Sequence, residues 1–204
     1  MLSTMTLPSA AQHVIHVLLF FVISVLIGIV VCKVMEKKRF PVPAEVSLLI
    51  VELISIALVW RYGFSITAIQ GLFLMFVLLY ASCSDLATHE VDDPLWVIIL
   101  ALSLCSIPAV GIKSMLTGAI FLAIPQLAMA MLPPHKTLGG ADIKLSIALA
   151  FLLGTWKGLG AYLIGLVLAV IFMAIYNKIN KRDSDQAFAL VPFLSVGAMA
   201  MFLI

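Results

Sequence analysis

The feature that most constrains this chain is a series of long runs without charged residues. The first of them, from Val14 to Val31, contains no Asp, Glu, Lys or Arg. A run of about 20 apolar residues forms a helix long enough to cross the hydrocarbon core of a bilayer, which is about 30 Å thick. Strands of a membrane barrel would alternate polar and apolar residues, and these runs do not alternate. The pattern therefore predicts membrane helices.

The composition indicates the same fold class. Only 11% of the 204 residues are charged and 64% are hydrophobic, whereas a soluble domain carries about 25% charged residues. We expect an all-α, polytopic membrane helical bundle of about eight transmembrane helices. It forms one domain over residues 1–204, in which residues 1–38 are the first span and a basic turn. The predicted helical segments are 13–33, 44–60, 64–83, 94–111, 113–132, 142–155, 158–177 and 187–204.

The basic residues predict an orientation for these helices. If the N-terminus lies outside, nine Lys and Arg residues fall in cytoplasmic connections, and three fall in external ones (Arg61, Lys113 and Lys157). This excess follows the positive-inside rule and predicts a chain with both termini outside. The same arrangement places the loops 84–93 and 133–144 together on the cytoplasmic face. The net charge of +2 is too small to indicate a nucleic-acid partner.

The first of these loops begins beside Asp85, which comes directly after an apolar run at the end of the third predicted helix. No cation precedes it in that helix to offset the cost of burying a carboxylate, so Asp85 is a candidate functional residue. Glu90, Asp92 and Asp93 lie further out and fit a solvated loop. Asp93 before Pro94 also fits the N-cap of the next helix, with proline at the first helical position.

The second loop ends in residues 139–144, Gly-Gly-Ala-Asp-Ile-Lys. In a structural interpretation, the glycines reverse the chain and Asp142 caps the sixth helix. In a functional interpretation, an ionisable residue near membrane depth marks a site, and the glycines allow a substrate strand to lie close to Asp142. Lys144 is a membrane-face anchor or a partner for a carboxylate. The two interpretations are compatible with each other.

Two aspartates from separate helices at one membrane depth can share a proton. One then acts as a base toward a water molecule and the other as an acid toward a carbonyl oxygen, which hydrolyses a peptide bond without a metal or a covalent intermediate. The sequence has no H-E-x-x-H, no G-x-S-x-G and no P-loop. Its three cysteines lack C-x-x-C spacing, so we expect no metal site.

Taken together, these motifs resemble those of the type IV prepilin leader peptidases, membrane aspartyl proteases of the G-x-G-D type. The family has an Asp at the cytoplasmic end of a span, followed by an I-P-N-like element, and residues 85–93 are similar to it. The second family motif, G-x-G-D-[IV]-K-L, is matched by residues 139–145. Residues 39–54, which include Glu52, resemble a Y-P-L-V-E-L stretch, and residues 191–197 resemble a P-F-G-P-F-L-A-L-G stretch. The resemblance runs in order from about residue 39 to residue 204.

The resemblance implies that Asp85 and Asp142 are the catalytic pair of an aspartic endopeptidase in the bacterial inner membrane, with the active site facing the cytoplasm. The substrate would be a type IV prepilin or pseudopilin, whose leader is cut after a glycine and before a hydrophobic N-terminal helix. The lipid bilayer is the other expected partner, and proteolysis would need no cofactor. Further residues expected to bind substrate or shape the site are Gly139, Gly140, Ala141, Lys144, Glu52 and Asp93.

Three features depart from the family pattern. Ala141 replaces the second motif glycine and is expected to narrow the allowed backbone angles there. Asp92 replaces the proline that usually follows the position of Val91. The loop after the first span lacks the zinc-binding pair of C-x-x-C motifs, so the chain resembles a short form of the family. Full-length members also N-methylate the new terminus, and S-adenosylmethionine is expected here only if that activity is retained.

Two other functions are compatible with carboxylates at the membrane. A small ion-coupled transporter would hold them near the midplane between repeated halves, but the acids here cluster at one face and no half-repeat is visible. A non-enzymatic pilus or secretion assembly protein would keep the motifs only as a turn and a cap. The ordered set of motifs favours the peptidase.

Overall fold

The structure, a computed structural model, describes residues 9–38, 40–131, 139–180 and 188–204. Regular secondary structure in these ranges is entirely helical, which confirms the predicted all-α fold class. The helices are α1 (Ser9–Lys37), α2 (Ala44–Tyr62), α3 (Ile66–Thr88), α4 (Pro94–Ser103), a 3-10 turn (Leu104–Ser106), α5 (Ile107–Val110), α6 (Ile112–Met131), α7 (Gly140–Leu153), α8 (Thr155–Asn180) and α9 (Val191–Leu203).

Each predicted segment corresponds to one helical rod in the described residues, and the fourth rod is interrupted. Its α4 and α5 parts are separated by the 3-10 turn Leu104–Ser106. Pro108 accounts for the interruption because its ring clashes with the carbonyl of residue 104 and it has no N–H to donate. Gln70 of α3 donates a hydrogen bond from Nε2 to the Leu102 carbonyl at 2.9 Å, so a partner on another helix satisfies that backbone group.

Four of the described helices are long and apolar enough to cross a membrane: Val14–Lys37, Ile66–Thr88, Ile112–Met131 and Thr155–Ile179. Apolar side chains on α1, α6 and α8 are largely exposed, as expected of helices that contact lipid. These helices make the chain a multi-pass membrane protein. The orientation of its termini stays a prediction.

Helix α3 lies at the centre of the bundle. In its most apolar stretch 56% of the residues are buried, against 17% in α1, and it packs against α1, α2, α4 and α9. Helix α7 is also largely buried and packs between α4, α6 and α8. Because these two inner helices run in opposite directions, the last turn of α3 and the first turn of α7 meet at one end of the bundle.

Candidate active site

Asp85 and Asp142 line the same open cavity, which has a volume of about 310 Å³. Asp85 lies in the last turn of α3, and Asp142 lies in the first turn of α7. The two side chains are close enough that the charge of Asp85 acts directly on Asp142. The cavity is lined by Asp85, His89, Glu90, Val91, Asp93, Gly139, Gly140, Ala141 and Asp142, and we call it the aspartate cavity.

Asp85 is fixed by the beginning of α9. The residue is only 5% exposed, and its Oδ2 accepts a hydrogen bond from the backbone N–H of Val191 at 2.9 Å. Because the first N–H groups of a helix have no intrahelical acceptor, a carboxylate is a favourable partner for them. The burial of Asp85 is thus offset by α9 rather than by a cation.

Asp142 is fixed by its own helix end. Gly139 is the N-cap of α7 and has an extended backbone, so Asp142 occupies the third helical position and does not itself cap the helix as the structural interpretation expected. Its carboxylate folds back toward the backbone of Gly139, in the direction taken by the acid of a capping box. A Cβ atom at Gly139 would lie 2.8 Å from Oδ2 of Asp142. Glycine at this position therefore leaves room for the carboxylate.

The replacement of the second motif glycine by Ala141 has a simple structural account. Ala141 lies inside α7, and the positive φ angles in the described residues occur elsewhere, at His89, Gly63, Gly111 and Gly154. The expected restriction of backbone angles therefore has no consequence, because alanine is the most favourable residue in a helix. Gly140 is also helical, and a Cβ there would meet no atom within 4 Å.

Two ion pairs tie the loop between α3 and α4 to neighbouring helices. Lys144 donates to Oδ1 of Asp93 at 2.7 Å, so Lys144 is the partner of a loop carboxylate. Lys38, just after α1, donates to Oδ2 of Asp92 at 3.1 Å, and the Tyr80 hydroxyl donates to the same oxygen at 2.9 Å. The hydrogen bonds from Lys38 and Tyr80 hold the pKa of Asp92 below its ordinary value, and the one from Lys144 does the same to the pKa of Asp93.

The expectation that Asp93 caps α4 is wrong. Asp93 occupies the N-cap position, but its backbone is helical and its side chain makes no cap hydrogen bond. The carboxylate turns instead toward Lys144 at the rim of the cavity. Pro94 does occupy the first turn of α4, as the sequence predicts. Asp93 therefore joins the loop to α7 through its ion pair with Lys144 and does not cap α4.

Glu52 lies apart from this group. Its two carboxylate oxygens accept hydrogen bonds from the Ser24 hydroxyl at 3.0 and 3.2 Å. Ser24 is fully buried, so the contact joins α1 to α2 within the bundle. The structure does not bring Glu52 to the aspartate cavity, although it brings there Asp85, Asp93 and the residues 139–142.

Two cavity residues, His89 and Glu90, had no predicted role. His89 ends α3 in the left-handed conformation, with φ 53°, and this turn directs the chain back across the cavity. The backbone N–H of Val191 was also missed as a partner of Asp85. Its only sequence signal is the resemblance of residues 191–197 to a family stretch, which does not reveal what the stretch contacts.

Comparison with known proteins identifies the family of the chain. The sequence model of the type IV leader peptidase family matches residues 72–177, just over half of the chain, and this range contains both Asp85 and Asp142. The stretches around Glu52 and Val191 lie outside it. No curated protein and no solved structure matches the chain. On the strength of the family match and the membrane helices, the chain belongs to the type IV leader peptidase family and is a multi-pass membrane peptidase.

Proposed function

We propose that this peptidase removes the leader of a type IV prepilin or pseudopilin with Asp85 and Asp142 as an aspartyl pair. The observation that carries the proposal is the meeting of these two carboxylates, from separate helices, in one open cavity. Two carboxylates at such a site do not both ionise readily, because each negative charge opposes the other. They therefore share one proton, as the acids of aspartic proteases do.

The shared proton gives the two acids complementary tasks. The ionised carboxylate removes a proton from a water molecule, whose oxygen attacks the carbonyl carbon of the scissile bond. The protonated carboxylic acid donates its proton to the carbonyl oxygen, which forms a tetrahedral diol. When this intermediate collapses, the carbon–nitrogen bond breaks, one diol hydroxyl returns its proton to the ionised carboxylate, and the leaving nitrogen takes a proton from the other acid of the pair. The water has then been consumed, and the pair returns to its starting state.

The surroundings of the pair fix its geometry. Asp85 is held by the amide of Val191, and the carboxylate of Asp142 lies against the backbone of Gly139. Since these neighbours are backbone groups at helix ends, they cannot rotate away as side chains can. Both acids are thereby oriented before the substrate binds, which lowers the cost of reaching a reactive arrangement.

We place the aspartate cavity at the cytoplasmic face of the bacterial inner membrane. The excess of Lys and Arg in the connections at this end supports that orientation. A prepilin would then present its polar leader to the cavity while its hydrophobic helix lies in the bilayer beside the bundle. Proteolysis by this route uses no cofactor, and S-adenosylmethionine is required only if the chain also methylates the new terminus.

The test is co-expression of the full chain with a prepilin, followed by mass spectrometry of the mature pilin N-terminus. Asp85→Asn and Asp142→Asn should each abolish leader removal while the membrane content of the peptidase stays unchanged. Asp92→Asn is the matched control, because Asp92 is on the same loop but outside the cavity lining. Normal processing by either of the first two variants would exclude the aspartyl pair. The same spectra report the cleavage position and any methyl group.

A further inference from the structure

A second cavity lies at the end of the bundle opposite the active site. It has a volume of about 400 Å³, larger than the aspartate cavity. Gln70, on its wall, precedes Asp85 on α3 by enough residues to put the two about 22 Å apart along the axis, at about 1.5 Å per residue. The polar residues that line this cavity are Tyr62, Thr67, Gln70, Ser106, Ser114 and Lys157. We call it the distal cavity.

The inner wall of the distal cavity is fixed by the interruption of the fourth rod. Gln70 is only 4% exposed, and its Nε2 donates to the Leu102 carbonyl at 2.9 Å and to the Ser106 hydroxyl at 2.7 Å. These bonds join α3 to the 3-10 turn where the regular helix is broken. These hydrogen bonds hold the inner wall of the cavity in place, because breaking them would leave buried polar groups without partners.

The described charged side chains at this end of the bundle are all cationic. The described helix ends there carry Arg61, Lys113 and Lys157, and none of them carries an Asp or Glu. Arg61 is already engaged, because it donates to the carbonyls of Leu203 and Ile204 at 3.1 and 3.0 Å. Lys157, which lines the cavity, has no carboxylate partner among the residues that the structure describes. Lys157 is therefore free to contact an anion that enters the cavity.

Lys157 is also accompanied by backbone donors. It lies with Trp156 in the first turn of α8, where N–H groups have no intrahelical acceptor. The N–H of Thr155 is satisfied by the Ser114 hydroxyl at 3.1 Å, whereas the next two amides belong to residues that line the cavity. A lysine and a helix N-terminus that border one cavity are suited to a phosphate group.

The depth of the distal cavity indicates where that phosphate comes from. Trp60 and Trp156, at this end of the bundle, are 90% and 85% exposed, as is typical of aromatic residues at the membrane–water interface. Lipid headgroups lie at the same level. We propose that the distal cavity binds the headgroup phosphate of an anionic phospholipid, with Lys157 as its cationic contact and the first turn of α8 beside it.

The experiment measures lipid retention by the purified full chain in detergent micelles, by native mass spectrometry. Phosphatidylglycerol and phosphatidylcholine with the same acyl chains are the two probes. Phosphatidylglycerol should bind more tightly, and Lys157→Gln should weaken it about tenfold, as expected for a charge-assisted hydrogen bond. Lys157→Arg should keep the binding. Lys113→Gln is the matched control, because Lys113 is an exposed cation at the same end that does not line the cavity.

Three results would overturn the proposal. The first is equal retention of the two lipids by the wild-type chain. The second is a Lys157→Gln variant that keeps its thermal unfolding temperature and binds phosphatidylglycerol as the wild type does. The third is displacement of the lipid by excess inorganic phosphate, which would assign the site to a free anion. Leader cleavage is not the readout, so the outcome is independent of the proposed peptidase mechanism.

Discussion

The structure predicts that the two glycines before Asp142, Gly139 and Gly140, respond differently to replacement by alanine. At Gly139, an added Cβ would lie 2.8 Å from Oδ2 of Asp142, whereas ordinary contacts begin at 3.4 Å. The flexible carboxylate is the group that yields, so it moves by about 0.6 Å, and a displacement of about 1 Å in an active site can cost about 100-fold in rate. We expect Gly139→Ala to lower the cleavage rate by about 10- to 100-fold.

The stability of the same variant should change much less. Alanine is a poorer N-cap than glycine, which costs about 1 kcal/mol. The backbone of Gly139, with φ −66° and ψ 135°, is one that alanine adopts readily, and such a replacement stabilises by about 0.4–1 kcal/mol through the unfolded state. The two effects nearly cancel. A loss of activity would therefore reflect the position of the Asp142 carboxylate rather than unfolding.

Gly140→Ala is the matched control for this prediction. A Cβ at Gly140 meets no atom within 4 Å, and the residue is helical, so the change should raise stability by up to about 1 kcal/mol and leave the rate unchanged. The assay is the rate of leader cleavage in detergent, measured by mass spectrometry, together with thermal unfolding. Equal rates for Gly139→Ala and the wild type would refute the reasoning, and so would a Gly140→Ala variant as impaired as Gly139→Ala.

Two further predictions concern groups outside the pair. Gln126 is 2% exposed, its Nε2 has no partner among the described residues, and its Oε1 accepts from the Ser146 hydroxyl at 2.9 Å. Gln126→Met should leave the unfolding temperature unchanged or higher, because it removes an unpaired donor, while Ser146→Ala should destabilise by about 1–3 kcal/mol. A Gln126→Met variant that is less stable than Ser146→Ala would contradict this reasoning. The hydrogen bonds from Lys38 and Tyr80 lower the pKa of Asp92 in the folded protein. These bonds therefore stabilise the fold above the ordinary carboxyl pKa, and the stabilisation is lost as the pH falls through the lowered pKa of Asp92. Asp92→Asn should flatten the acid side of a stability–pH profile, and an unchanged profile would show that the tie contributes nothing.

The helices could be predicted well because their signal is local. The segments 64–83 and 142–155 correspond to α3 and α7, and the largest difference lies at the end of α3 that forms the site. Helix α3 continues to Thr88, so Asp85 lies within its last turn rather than after it. Helix α7 begins at Gly140, two residues earlier than predicted. A glycine pair suggests a turn, but here Gly139 is the N-cap and Gly140 is the first helical residue. Glycine permits both conformations, so the sequence does not decide between them.

The partners of Asp85 and Glu52 could not be predicted, because they come from distant parts of the chain. Asp85 is held by Val191 on α9, and Glu52 is held by Ser24 on α1. A backbone N–H donor has no side-chain signature, so no residue type at position 191 indicates that its amide binds a carboxylate. The family resemblance identified both stretches but gave Glu52 a place near the site that the packing of α1 and α2 does not support.

The two aspartates are held in position by different parts of the chain. Asp142 depends on Gly139, three residues away on the same helix end, so its position is set locally. Asp85 depends on α9, whose position follows from close packing on α8, where a Cβ at Gly197 would lie 2.2 Å from the carbonyl oxygen of Ala161. The separation of the two carboxylates is thus fixed by the contact of α8 with α9 as much as by the catalytic motifs. In this fold the last helix is a structural part of the active site, even though it contributes no side chain to the aspartate cavity.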